Sequence, residues 1–295
     1  QKIFKQARKL AKKRKIKFGV LTFTPLPVMF FNKKIINYKL SSEIEKFNLF
    51  KKYGVDFVIN IKFNKMFSKI SAEGFIEKII FKKINPELIL VSNNFKFGNK
   101  RKGNVNLIER FSKKFNYKLV KISPFKSKNK IVSSTKIRKL IQNGHPDLAR
   151  KFLSRTWFIE GSVEKGKKLG RKLGYRTCNI FIKNYVLPKK GIYAVKISIG
   201  KKKKDYKGIS YLGSRPTFGG KRILLETNIF GIKKNLYKKK LRIYFLKFIR
   251  SDRKFKNSKE LVEQMKNDVI IAKKGLKTRI SLWVKKILIF LKLHF

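Results

Sequence analysis

Two hydrophobic rhythms divide the chain. From its start to about residue 143, short apolar runs such as "KFGVLTF", "VDFVINI", "ELILV" and "YKLVKI" alternate with longer stretches in which apolar positions recur every three to four residues: "SSEIEKFNLFKKYG", "SAEGFIEKIIFKKI", "NVNLIERFSKKF" and "SSTKIRKLIQNG". Strand and helix in alternation predict a parallel sheet covered by helices. Ser42 and Glu45 have the spacing of a capping box, and Gly54 stands where that helix should stop.

From Trp157 onward the period shortens to two. In "GIYAVKISIG", Tyr193, Val195, Ile197 and Ile199 fall on one face, with Lys196 and Ser198 on the other. "YKGISYLG", "ILLETNIF" and "KLRIYFLKFI" continue the pattern between Gly, Lys and Asn turns, which predicts an antiparallel barrel or sandwich. A helix follows, with Leu261, Met265, Val269 and Ala272 on one stripe. The change of rhythm puts a boundary near residues 144 to 156 and suggests domains over 1–150 and 151–275, with an apolar, lysine-interrupted tail over 276–295. The lysine run at 201 to 204 reads as a hairpin tip.

Composition modifies this picture in three ways. Lysine and arginine outnumber aspartate and glutamate 77 to 16, a formal charge of +61, which fits a nucleic-acid or anionic-surface partner. The excess is spread along the whole chain with abundant Ile, Asn, Phe and Tyr, so biased codon usage at replaceable surface positions is the favoured account of it. With Cys178 the only cysteine, no disulfide framework is available, and a reducing compartment, the cytoplasm, is expected. No apolar run approaches the roughly 20 residues of a spanning helix, although the tail could lie on a membrane surface or pack on its own domain.

Several stretches carry candidate chemistry. "VSSTKIR" sets Ser134 and Thr135 at a helix start with Arg138 one turn on, either an anion cradle or ordinary capping. "NNFKFGNKRKGN", beginning after the strand "ELILV", is a ligand loop or a solvated turn. Thr177 and Asn179, two apart on an extended segment, can present oxygens to one magnesium ion, and Gly161, Gly166, Gly170 and Gly174 permit close backbone approach to phosphates. Acidic residues are so scarce that Glu226, inside the apolar run "ILLETNIF", stands out as a base for phosphoryl transfer to a hydroxyl, or as a structural carboxylate.

Taken in order, "LTFTPLP", "VSNNFKFGNKRKGN", "VSSTKIR", "GRKLGYRTCN", "LPKKGIYAV", "LGSRPTFGG", "LETNIF" and "FLKFIRSDRKF" resemble the bacterial bifunctional riboflavin kinase and FMN adenylyltransferase (FAD synthetase) family, to about residue 274. The resemblance implies an α/β nucleotidyltransferase domain with a Rossmann-like parallel sheet, then an antiparallel β-barrel riboflavin kinase domain with a C-terminal helix. It implies riboflavin, FMN and ATP as substrates, Mg2+ as the ion, and no obligate nucleic acid. By the same resemblance Thr177 and Asn179 hold the ion and nucleotide, facing Glu226, the base, across the barrel. Gly161, Gly166, Gly170, Gly174 and Arg171 shape the phosphate loop, and Arg250 lies near the flavin. Asn94, Ser134, Thr135 and Arg138 belong to adenylyl transfer.

The departures are specific. Arg176 and Cys178 stand where the kinase motif has proline and alanine. Leu26 replaces a histidine, Ser92 and Ser154 replace glycines, and a His-x-x-His signature is expected just upstream of Gln1. Losing one donor to a departing phosphate costs about a hundredfold or more in rate, so the chain as written is expected to retain riboflavin kinase activity and to be impaired in FAD synthesis. Two other readings stay open at this level, a basic nucleic-acid-binding protein and a degenerate remnant of the enzyme.

Overall fold

The computed structural model describes residues 2–127, 130–166, 174–200, 205–217, 220–232 and 234–291. They form two compact units, one of residues 1–36 and 43–132, the other of residues 37–42 and 133–295.

The first unit contains α1 (Lys2–Arg14), β1 (Gly19–Thr24), α2 (Pro27–Phe31), α3 (Glu43–Lys52), β2 (Phe57–Lys62), α4 (Lys65–Ser68), α5 (Ala72–Gly74), β3 (Leu88–Ser92), α6 (Val105–Lys114), β4 (Lys118–Ile122) and the short antiparallel pair β5 (Lys126–Ser127) and β6 (Lys130–Ile131). β1 pairs in parallel with β2, and β3 in parallel with β4. Among the described residues no pairing joins these two pairs into one sheet. The two pairs border an apolar cavity of about 400 Å³, walled by β1, β3 and the Ile3, Phe4, Ala7 side of α1. Strands of an α/β sheet are normally buried on both faces; beside this gap every residue of β1 and β3 is half-buried.

The stretch expected as one α-helix over 71–84 begins as α5 and continues as a wide π-helix, Phe75–Ile84. Its end is set by Asn85, left-handed at φ 46°, whose N–H reaches back five residues to the Ile80 carbonyl as well as four to that of Phe81. Phe75 and Ile76 remain core residues, packed with Phe97, Ile108 and Tyr117.

The second unit is built on a closed six-stranded antiparallel barrel of β7 (Phe158–Glu164), β8 (Cys178–Phe181), β9 (Gly191–Ile199), β10 (Asp205–Thr217), β11 (Gly220–Ile229) and β12 (Lys240–Arg250), in the order β10-β11-β8-β7-β12-β9. Its interior is Ile159, Ile180, Ile197, Leu225, Leu241 and Ile243, with Trp157, Tyr193 and Phe245 at one end, all essentially without solvent contact. Phe245 meets both other rings at 5.0 Å between centroids, and the Trp157 indole N–H donates to the Leu40 carbonyl at 2.9 Å, so the large aromatic body is buried while its one donor is satisfied.

The division between units falls earlier than the change of rhythm near 144 to 156. α7 (Ser134–Gln142) and α8 (Pro146–Leu153) pack on each other, α8 packs on β12, and Ile141 and Ala149 are fully buried in that contact layer. The last helix, α9 (Ser258–Leu291), lies against the outside of β9, β10 and β12, which helps explain why Ala194 and Ser198, on the outward-facing positions of β9, are buried along with the inward ones. Among the described residues no helix is long and apolar enough to cross a membrane. The lysine run at 201 to 204 lies outside the described residues.

Glu160 on β7 accepts from Lys240 at 2.9 Å and from Arg242. Burial alone would push its carboxyl up; the bonds from Lys240 and Arg242 outweigh burial and hold it below the ordinary carboxylate range. A depressed folded-state value stabilises the fold above the ordinary glutamate range and ceases to do so as pH falls through the folded value. Glu160→Gln is therefore expected to cost about 1–2 kcal/mol near neutral pH, with both cations partly exposed and screened. In urea unfolding followed from pH 7 to pH 3, the gap between variant and wild type closes on acidification.

Candidate active site on the outer face of the barrel

Register brings the candidate residues together. In the antiparallel ladder of β8 and β11, Asn179 lies opposite Glu226 and Cys178 opposite Thr227; between β11 and β10, Glu226 lies opposite Tyr211 and Asn228 opposite Ile209. Directly opposed residues share a face. Leu225 and Thr227 point into the barrel with no exposed surface, and Thr227 is hydrogen-bonded there to Ser210 at 2.7 Å. The alternation therefore turns Glu226, Asn228, Asn179 and Tyr211 outward.

On that outer face α9 and the segment after β12 enclose a cavity of about 350 Å³. Glu226, Tyr211, Asn228, Ile209 and Ile192 form its floor, Leu261, Met265 and Val269 its helical wall, Tyr175 and Thr177 one rim, and Arg250, Asp252, Arg253 and Phe255 the other. Its size lies at the small end of ordinary ligand pockets, and its mix of apolar surface with a few polar groups is typical of them. The sequence expectation that Glu226 would face Thr177 and Asn179 across the barrel is corrected: Glu226 and Asn179 lie opposite each other on neighbouring strands, turned outward, with Thr177 one residue before β8. The cause is the odd-even phase of β11, which gives the interior to Leu225 and Thr227.

Asn179 is buried, and its Oδ1 has no hydrogen-bond partner among the described residues. An unpaired buried acceptor is costly and marks a place for a cation or donor. Gly166 packs onto the same side chain; a Cβ there would stand 1.8 Å from Asn179 Nδ2, so any larger residue would displace the amide. The amide oxygen of Asn179 and the hydroxyl of Thr177, two residues away, are donors of the type that suits a hard cation. Among the described residues no cluster of three or more His, Cys, Asp or Glu side chains is placed to hold a metal, so an ion here would draw its remaining ligands from water and nucleotide phosphate. Thr177 also borders a second cavity of about 390 Å³, lined by Arg176, Cys178, Lys234, Asn235 and Tyr237. Burial pushes the Cys178 thiol up to about 11, which leaves it protonated and unreactive.

The flavin-side arginine expected from sequence is held in place. Arg250 ends β12 and grips Asp268 of α9 through Nε at 2.9 Å and Nη2 at 2.7 Å, while Gln264 donates to the same carboxylate. Asp268 is 1% exposed. Tyr211 donates to Asp252 at 2.7 Å. Sequence reasoning missed Tyr211, Asn228, Asp252 and Asp268. Asp268 alone left a signal, since it falls three residues after Met265 and four before Ala272, on the apolar stripe.

The other candidates are scattered. Gly161 lies within β7, where a Cβ would meet Ile180 at 2.5 Å, so it serves barrel packing and not a phosphate loop. Gly174 has φ +81° just before Tyr175, and Gly170 and Arg171 lie outside the described residues. Asn94, in the first unit, receives the hydroxyl of Ser92 on its Oδ1 at 2.7 Å, so the serine found in place of a glycine engages the asparagine directly. Ser134 and Thr135 open α7, capped by Ser133. Arg138 is turned onto Tyr38, Nε donating to its carbonyl at 2.8 Å and the guanidinium lying 3.6 Å from the ring centroid; burial lowers its pKa.

Comparison with known proteins agrees over both units. The FAD synthetase family model matches residues 1–136 and the riboflavin kinase model residues 153–276. A bifunctional riboflavin kinase/FMN adenylyltransferase of Buchnera aphidicola subsp. Schizaphis graminum is 38% identical over 93% of this chain and 88% of its own length. The Bacillus subtilis protein of the same description is 31% identical over 91% and 85%. A crystal structure from Streptococcus pneumoniae, described as a macrolide-efflux protein, superposes with a TM-score of 0.80 at 25% identity, over 92% of this chain and 88% of that one. With relatives this similar over nearly its whole length and both family models matched in order, the chain belongs to the bifunctional riboflavin kinase/FMN adenylyltransferase family, the enzymes of FAD biosynthesis.

Proposed function

We propose that the barrel unit phosphorylates riboflavin with Glu226 as general base, Thr177 and Asn179 as ligands of Mg2+, and the two cavities as substrate sites. The flavin ring lies between α9 and the barrel, against Ile192, Ile209, Met265 and Val269, with its ribityl chain directed to Glu226. The nucleotide occupies the cavity of Arg176 and Lys234, whose charges suit phosphates. Glu226 takes the proton of the terminal ribityl hydroxyl as that oxygen bonds to the γ-phosphorus; the bond from phosphorus to the β,γ-bridging oxygen breaks, and ADP leaves. Magnesium, when bound, neutralises charge on the phosphates.

The single observation that supports this most is the buried Oδ1 of Asn179, without a partner among the described residues and directly opposite Glu226, two residues from a threonine that borders both cavities. Asn94, Ser134, Thr135 and Arg138 are assigned by resemblance to the second reaction, transfer of an adenylyl group from ATP to FMN. We place both reactions in the cytoplasm.

The test is direct. Riboflavin and Mg-ATP incubated with the chain should yield FMN and ADP in equal amounts, and riboflavin fluorescence should be quenched saturably. Salt-sensitive binding to nucleic acid with neither flavin binding nor FMN formation would reject the reading in favour of the nucleic-acid alternative.

A further inference from the structure

We infer that Asn228 is a positioning residue for the cation site, fixing from the neighbouring strand the peptide bond that carries Thr177. The inference rests on the reading of Thr177 and Asn179 just given. The backbone ladder of β8 and β11 runs from the Leu224–Phe181 pair to the Thr227–Cys178 pair and ends there. One step further, Thr177 would oppose Asn228, and no ladder pairing links them among the described residues. At that step the Asn228 side chain takes over: Nδ2 donates to the Arg176 carbonyl at 2.7 Å. That carbonyl belongs to the Arg176–Thr177 peptide plane, so the bond restrains the ψ of Arg176 and the φ of Thr177 together.

The arrangement answers a local need. Two ligand oxygens must hold one geometry, and Thr177 lies just past the last rung, where the chain leaves the sheet. Arginine at 176 imposes no φ of its own, whereas a proline would fix one. Asn228 also lies two residues from Glu226 on the same outward face and borders the same cavity. One side chain therefore ties the strand of the base to the strand of the ligands. Outer partners of metal ligands commonly matter by about ten- to a hundredfold in metal affinity.

Asn228→Asp keeps the shape and removes the donor; Asn228→Ala removes both. In Mn2+ titrations with ADP present, followed by electron paramagnetic resonance, either change should weaken ion binding roughly tenfold. Amide exchange at Thr177 in metal-free protein should quicken while urea unfolding of the barrel stays near wild type, because the bond acts on one peptide plane. Wild-type ion affinity and exchange in Asn228→Asp would overturn the inference, as would a loss of ion affinity that merely tracks a general loss of barrel stability. If wild type itself binds neither Mn-ADP nor riboflavin, the kinase reading fails first, and this inference falls with it.

Discussion

Glu226→Gln lowers the turnover number for FMN formation by about 10²–10⁴, with KM for riboflavin and for Mg-ATP changed by only a few-fold. Glutamine keeps the size of the side chain and its place between Tyr211 and Asn179 on the outer face, so the cavity floor is preserved. What disappears is a group able to accept the proton of the attacking hydroxyl. General-base catalysis acts mainly in the transition state, so the loss should appear in kcat and in kcat/KM to a similar degree. Chromatographic separation of riboflavin from FMN under saturating substrate measures it. A variant that makes FMN at the wild-type rate would remove Glu226 from the mechanism and leave it a structural carboxylate in an apolar strand. A fall in riboflavin affinity matching the fall in rate would instead make it a binding group.

Why was Glu226 legible from sequence when Tyr211 and Asn228 beside it were not? Its signal was local, a carboxylate within an apolar run in a chain with only 16 acidic residues. The barrel was legible for a similar reason, since the period of two in β9 and β11 records burial on one face. Thr177 and Asn179 were legible as an extended segment, but the four residues of β8, Cys178–Phe181, are too few to show a period or to tell which strand they pair with. Asp268 reads as one more solvated acid on a helix unless its place on the apolar stripe is weighed, and its partner Arg250 is on another element. Asn228 and Tyr211 matter through strand register, which joins residues far apart in sequence and leaves no mark in either segment alone. In the first unit the alternation of strands and helices was legible. The separation of β1–β2 from β3–β4 was not, because each strand carries the same apolar run whether one of its edges or both are paired.

Asn179→Leu should move stability and activity in opposite directions. Leucine has as many side-chain heavy atoms as asparagine, with a bulkier branched end, and removes a buried acceptor that has no partner among the described residues. Replacing an unsatisfied polar group with an apolar one of similar shape relieves its desolvation cost, so the metal-free chain should gain about 1 kcal/mol in unfolding free energy. Gly166 leaves the space into which the side chain extends, and the bulkier branched terminus of leucine offsets part of the gain there. Activity should fall by about a hundredfold or more, since charge on the transferring phosphoryl group would lose a fixed ligand set for the ion that balances it. Sites that work through preorganised, unsatisfied groups commonly trade stability for function in this way. Urea unfolding in EDTA beside FMN formation in Mg-ATP reads both quantities on one preparation. A destabilised and inactive variant would show that the asparagine holds up the barrel; a more stable variant that keeps its kinase rate would show that the ion is held elsewhere.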